Sequence, residues 1–251
     1  MEQQPKLRVK LFADGADLGA MIQMYKNPAI SGFTTNPTLM RRAGVKDYEG
    51  FARELLAAIP DRPISLEVFA DDFDTMYAQA HQIASWGKNV NVKIPVTNTK
   101  REFAGKLIQE LSESGVTVNV TAILTLDQVR AVTRCLSPRT PAFVSVFAGR
   151  IADTGRDPVP LMAEAVKIIS AKPLSELIWA SPRELLNIFQ ADAVGCQIIT
   201  ATNDILAKLS LVGKDLDDYS AETVSMFYRD ASAAGFAIDT VSGNKRAQTS
   251  S

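Results

Sequence analysis

The chain has one histidine and two cysteines among 251 residues. His81 falls in a helical pattern with Met76, Tyr77, Ala80, Ile83 and Ala84, the setting of a surface or hydrogen-bonded helix residue. With no second histidine and no cysteine nearby, a Ser-His-Asp relay and the usual zinc ligand sets are set aside. Cys135 and Cys196 lie far apart and read as two buried thiols of a reducing cytoplasm. An excess of one charge is also missing. Lys and Arg number 27 against 28 Asp and Glu, which gives nothing for nucleic acid or an anionic membrane to hold. No apolar run approaches the roughly 20 residues that span a bilayer, and Met1–Lys10 lacks the apolar core of a signal peptide. The expectation is a cytoplasmic protein with neither membrane nor nucleic-acid partner. Internal repeats, low-complexity stretches and linkers are absent as well.

What is there is a steady alternation. Strand-like runs occur at Val9–Ala13, Ile30–Thr34, Ile64–Val68, Val90–Ile94, Val116–Val120, Ala142–Phe147, Leu177–Ala180 and Gln197–Thr200. Between them lie helical spacings at Tyr48–Ala58, Thr75–Trp86, Glu102–Ser112, Leu126–Cys135 and Val159–Ile169. A doubly wound open sheet alternates in the same way. Eight strands in a chain of this length favour a (β/α)8 TIM barrel. Two more helical patterns follow, Ile205–Leu211 and Ala221–Ala233, before a polar end. The domain reading is a single barrel over residues 1–238, including an extra C-terminal helix, with a flexible tail at 239–251.

The strands carry residues that a purely structural barrel would not choose. Side chains alternate between the two faces of a strand, and in a barrel one face looks inward. In Val90-Asn91-Val92-Lys93-Ile94 the apolar residues share one face, so Asn91 and Lys93 point into the barrel. The same parity turns Glu67, Asn119 and Thr121 inward, while Asp14 and Asn36 follow the first two strands. Five consecutive strands thus deliver polar or charged groups to the interior. Each could be satisfied by a local hydrogen bond, and Lys93 could be a structural partner of Glu67. As a set, however, they have the character of an active site, because buried unpaired charge is costly. Burial strips hydration from an ammonium and favours the neutral amine, which can attack a carbonyl and form an iminium ion. Asp14 and Glu67 are then candidates for proton transfer. A second constellation is cationic. Arg150 follows the sixth strand, and Ser181 and Arg183 follow the seventh at an expected helix start, a group suited to a phosphate dianion.

These motifs resemble the transaldolase family, including its small members and the related fructose-6-phosphate aldolases. The resemblance runs from about Leu11 to Ala207. It rests on Gly32-Phe33-Thr34-Thr35-Asn36-Pro37-Thr38, Val92-Lys93-Ile94-Pro95-Val96-Thr97 and Gly149-Arg150-Ile151, in that order. It departs at Pro182, where the family pattern has an aromatic residue beside the arginine. The resemblance implies a (β/α)8 barrel and makes Lys93 the Schiff-base residue and Asp14 the acid/base at the hydroxyl whose deprotonation opens the carbon–carbon bond. Glu67 and Thr121 would hold the water that relays protons. Thr34, Asn36, Asn119, Ser145 and Phe147 would contact the sugar, and Arg150, Ser181 and Arg183 the phosphate. The implied reaction moves a dihydroxyacetone unit from sedoheptulose 7-phosphate to glyceraldehyde 3-phosphate, giving erythrose 4-phosphate and fructose 6-phosphate in the pentose phosphate pathway. It implies no cofactor or metal, sugar-phosphate partners, and a homo-oligomer such as a pentamer or decamer. The alternatives are a fructose-6-phosphate aldolase-type enzyme that releases dihydroxyacetone, or a non-catalytic sugar-phosphate-binding barrel. The related aldolases place Tyr where this chain has Phe147 and Gln where it has Glu67, so both positions side with transfer.

Overall fold

Eight short strands and the helices between them close on themselves because each strand is apolar on the face that meets a helix. A computed structural model describes residues 7–238. Within these, β1 is Lys10–Asp14, followed by α1 at Leu18–Tyr25, β2 at Ile30–Thr34, α2 at Pro37–Arg42 and α3 at Tyr48–Ala58. Next come β3 at Ile64–Glu67, α4 at Phe73–Ala84, β4 at Val90–Pro95, α5 at Gly105–Glu113, β5 at Val118–Ile123 and α6 at Leu126–Cys135. Then follow β6 at Ala142–Val146, α7 at Ala148–Ala152, α8 at Val159–Ile169, β7 at Ser175–Trp179, α9 at Leu186–Ala193 and β8 at Ile198–Thr202. The run ends with α10 at Asn203–Ala207, a 3-10 turn at Lys208–Leu211 and α11 at Leu216–Ala233. Each strand pairs in parallel with its chain neighbours, and β1 pairs with β8 to close the barrel.

The barrel has two cores. Val90, Val92 and Ile94 of β4, with their counterparts on the other strands, pack outward against the helices. Inside, a separate cluster joins Phe12, Phe143, Ile178, Ala180 and Ile198, all from β1, β6, β7 and β8 or the loop after β7. The apolar filling therefore comes from one side of the ring, and the strands from β2 to β5 contribute polar groups instead. Helix starts are set by side-chain caps: Asp17, Asn36, Asp47, Asp72 and Thr125 each accept a backbone N–H of the first turn, and Gln128 completes a capping box.

Three helices match their expected bounds, Tyr48–Ala58, Leu126–Cys135 and Val159–Ile169. Others differ for identifiable reasons. β5 runs from Val118 to Ile123, later than expected, and contains a bulge at Ala122, whose φ is 62°. The segment expected as one helix at Ile205–Leu211 divides into α10 and the 3-10 turn. α11 begins five residues earlier than its apolar spacing suggests, because Asp215 caps the N–H groups of Asp217 and Asp218. The expected helix start at Ser181–Arg183 is not there. Ser181 is left-handed (φ 59°), and the Asn187 side chain accepts from Arg183 and Glu184, so α9 starts only at Leu186. Cys196 is buried, as expected of both thiols, but Cys135 is only half-buried. Residues 239–251 lie outside the described residues.

The described chain divides into two compact units, residues 7–210 and residues 211–238. In the second, α11 buries none of its residues, and Tyr219, Val224, Phe227 and Tyr228 are exposed. Among the described residues no helix is long and apolar enough to cross a membrane.

One close approach ties α7, just beyond β6, to the loop after β7. A Cβ on Gly149 would lie 1.5 Å from the Ser181 carbonyl oxygen, so only glycine lets the two segments meet. Gly149→Ala is expected to lower stability by about 1–3 kcal/mol, read as a lower urea midpoint. An unchanged midpoint would mean that the two segments part freely.

Candidate active site

The site is built at the C-terminal ends of the strands, and its register follows from parallel pairing. Glu67, the last residue of β3, stands across from Lys93 of β4. Lys93 is 5% exposed. Its Nζ donates to Glu67 Oε2 at 2.8 Å and to the Thr35 main-chain oxygen at 2.7 Å. Both acceptors come from the neighbouring strand ends, so the ammonium is paired within the barrel wall and still borders an open space. That space is a cavity of about 450 Å3.

Asp14 ends β1 opposite Thr34 of β2. Thr34 Oγ1 donates to Asp14 Oδ1 at 2.8 Å and lies 2.5 Å from Thr200 Oγ1 of β8. Since the single Thr34 proton goes to the carboxylate, Thr200 must be the donor to Thr34, and three strands form one directed chain. Burial pushes the Asp14 carboxyl above the ordinary aspartate range. The Lys93 charge and the Thr34 bond pull the other way without cancelling it, and Glu67 adds to the rise.

The remaining expected residues fall into three groups. Thr34, Asn36, Thr121, Ser145 and Phe147 border the same cavity as Asp14, Glu67 and Lys93. Asn36 spends its carbonyl oxygen on the Leu39 N–H as the cap of α2, so it offers the cavity its amide NH2. Thr121 Oγ1 is buried and has no hydrogen-bond partner among the described residues. The bulge at Ala122 brings Thr121 and Ala122, adjacent in sequence, to the same cavity. Asn119 does not reach it. It lies fully buried, its Nδ2 donating to Ser65 Oγ at 3.0 Å and its Oδ1 accepting from Ser145 Oγ at 2.7 Å. Its contact with any ligand would pass through Ser145. Asn91 is inward and buried as well, with an unpartnered Nδ2, and is not part of the cavity wall.

The cationic group lies on the same cavity: Arg150 from α7, with Ser181 and Arg183 from the loop after β7. Arg150 stacks over the Phe147 ring, its Cζ 5.6 Å from the ring centre. Arg183 is not a free cation. Its Nε donates to Asp153 Oδ1 at 2.9 Å and its Nη2 to Asp153 Oδ2, and the pair holds the Asp153 carboxyl below its ordinary range. A smaller cavity of about 260 Å3 adjoins, sharing Asp14, Ser181, Arg183 and Thr200. Sequence reasoning missed Thr200, Arg42 (also on the main cavity) and Asp153. Thr200 lies two residues beyond Ile198 on the inward face and could have been found by parity. For Asp153, which is 30 positions from its partner, the sequence holds no signal.

An amine beside a carboxylate, a second carboxylate of raised pKa and three guanidiniums on one cavity form a set that can capture a carbonyl compound bearing an anion. The profile of the family described as Transaldolase/Fructose-6-phosphate aldolase matches residues 11–250. A protein named "Probable transaldolase" from Dehalococcoides mccartyi is 34% identical over 202 residues, 80% of this chain and 90% of that one. Another of the same name from Thermoanaerobacter sp. (strain X514) is 32% identical over 225 residues, 89% of this chain and 98% of the relative. A phosphonomutase candidate from Burkholderia cenocepacia J2315 superposes with a TM-score of 0.54 at 11% identity, over 91% of this chain and 93% of the other, a likeness of fold alone. By a profile match over nearly the whole barrel and relatives at this identity, the chain belongs to the transaldolase/fructose-6-phosphate aldolase family.

Proposed function

We propose that this chain is a Schiff-base transaldolase that moves a dihydroxyacetone unit from sedoheptulose 7-phosphate to glyceraldehyde 3-phosphate, yielding erythrose 4-phosphate and fructose 6-phosphate. The observation that carries the reading is Lys93: a primary amine 5% exposed, bordering a cavity that two carboxylates and three guanidiniums also border. In this reading Glu67 draws the ammonium proton as the ketose arrives, and the freed amine adds to the C2 carbonyl. The carbinolamine loses water, which Glu67 and the otherwise unpartnered Thr121 hydroxyl hold for later return. Asp14, made more basic by burial, takes the proton of the C4 hydroxyl. The C3–C4 bond then breaks, its electrons pass to the iminium nitrogen, and an aldose phosphate leaves. The enamine on Lys93 attacks the acceptor aldehyde, Asp14 returns its proton to the new alkoxide, and water releases the product. The iminium is the electron sink, so the scheme calls for no cofactor or metal.

Thr34, Asn36 and Ser145 would hydrogen-bond the sugar chain, with Asn119 acting through Ser145, and Arg150, Ser181 and Arg183 would take the phosphate. The exposed apolar side chains of α11 support the homo-oligomeric reading, as a pentamer or decamer. Near-balanced charge and unpaired thiols support a cytoplasmic enzyme with no nucleic-acid or membrane partner. A direct aldolase is the second reading. Phe147 favours transfer over it, because its ring is held under Arg150 and packs on the inner apolar cluster, offering no proton to quench an enamine.

Borohydride reduction in the presence of fructose 6-phosphate should modify Lys93 alone, and Lys93→Met should fold but not turn over. Mass mapping that found the adduct on Lys88 or Lys100 would sink the assignment.

Asp14 adds a pH signature. Its folded-state pKa lies above the ordinary aspartate value of 3.8 because of burial, so the native state holds that proton more tightly than the unfolded chain. Stability is therefore lost as pH rises through the window from 3.8 to the folded value, and the penalty is full above it. Asp14→Asn should unfold at a higher denaturant midpoint than the parent at neutral pH, and the gain should shrink in acid. Its turnover should fall by about 100- to 10,000-fold. A variant less stable than the parent at neutral pH would refute the burial argument.

Transfer between phosphorylated sugars should exceed release of free dihydroxyacetone by at least about tenfold, a barrier gap of roughly 1.4 kcal/mol. Phe147→Tyr should narrow or invert that ratio in coupled assays for both products. A parent enzyme that releases dihydroxyacetone as fast as it transfers it would decide for the aldolase.

A further inference from the structure

β3 has four residues and outruns its neighbour. β2 pairs with it only at Phe33 with Ile64 and Thr34 with Ser65, whereas β4 follows it to Glu67. In a parallel strand, alternate residues turn their main-chain groups to opposite neighbours. Ile64 and Val68 donate toward β4, to the Asn89 and Lys93 carbonyls at 2.9 and 3.2 Å, so Ser65 and Glu67 face the β2 side. Ser65 still finds a partner there, its carbonyl accepting from the Thr35 N–H at 3.2 Å. At Glu67 there is no strand left to pair with, because the chain has already turned at Asn36 into α2.

A single phenol takes the place of that strand. The Glu67 N–H donates to Tyr48 Oη at 2.8 Å, and the Tyr48 hydroxyl donates to the Glu67 carbonyl at 3.0 Å. Both main-chain groups of one residue thus close on one oxygen. The oxygen is itself fixed. Tyr48 opens α3 directly after its cap Asp47, and its ring meets Phe69 and Trp86 edge-on at 4.5 and 5.8 Å. Desolvation pushes the phenol pKa up, so the group stays a donor.

We propose that Tyr48 is the positioning residue of the Lys93–Glu67 pair, standing in for the missing strand so that the Glu67 carboxylate keeps its place against the amine during imine formation and hydrolysis. The proposal rests on the Schiff-base reading above. It separates the two functions of the Tyr48 side chain: the ring packs, and the hydroxyl holds Glu67.

Tyr48→Phe keeps the ring and removes both hydrogen bonds. Amide exchange at Glu67 should speed up, and the rate of borohydride-trappable adduct formation with fructose 6-phosphate should fall about ten- to a hundredfold, with KM little changed. In a Glu67→Ala background the same substitution should add nothing to the loss in trapping rate, although its cost in thermal stability should be the same in both backgrounds. A parent-like trapping rate in Tyr48→Phe, or an equal fractional loss in the Glu67→Ala background, overturns the positioning role and leaves the Schiff-base reading standing. A parent enzyme that forms no adduct on Lys93 overturns both.

Discussion

An ammonium inside a barrel wall is the constraint around which the rest of this structure is arranged. A buried ammonium needs acceptors, and Lys93 has two, the Glu67 carboxylate and the Thr35 carbonyl. Both sit on strand ends whose positions the barrel register dictates, so the pair is a product of strand pairing rather than of loop conformation. The charge is felt nearby. Lys93 pulls the half-buried Asp14 carboxyl down, but desolvation outweighs that pull and leaves Asp14 holding its proton more tightly than an ordinary aspartate does. A hydrophobic isostere at residue 93 would pack with less difficulty. That the chain retains the amine is what directs attention to chemistry.

The interior is divided accordingly. Phe12, Phe143, Ile178 and Ile198 fill one side and give the barrel its internal cohesion. On the other side Ser65, Asn119 and Ser145 form a buried hydrogen-bonded layer between strands. Such a layer is directional where an apolar one is not. It fixes which way the Asn119 amide points and which lone pair Ser145 turns to the cavity. Polar satisfaction thus performs in one half of the ring the ordering that packing performs in the other.

Much of this was legible in the sequence, and the reason is periodicity. The alternation Val90-Asn91-Val92-Lys93-Ile94 states the facing of β4 without ambiguity, and the same rule correctly turns Glu67 and Thr121 inward. Where the backbone leaves its regular path the rule has nothing to act on. Ala122 and Ser181 adopt left-handed conformations that neither residue type announces, and each displaced an expectation, one about the extent of β5 and the other about a helix start. Asn119 was rightly placed inside but wrongly placed at the cavity, because parity gives a face and not a height. Tyr48 and Asp153 act through contacts between segments far apart in the chain, which a linear reading cannot order.

The pairing of Arg183 with Asp153 bears on what the cavity can accept. A guanidinium has five N–H donors, and Asp153 uses Nε and one hydrogen of Nη2. Three N–H groups are left, one on Nη2 and two on Nη1, so an anion meets Arg183 on the edges away from its Nε side. Lys93 is likewise approachable from one side, since Thr35 and Glu67 cover the others. Under the proposed function, an amine fixed at a strand end and a guanidinium fixed by Asp153 in the loop after β7 would act as a gauge, selecting ligands by the distance between carbonyl and anion as well as by charge.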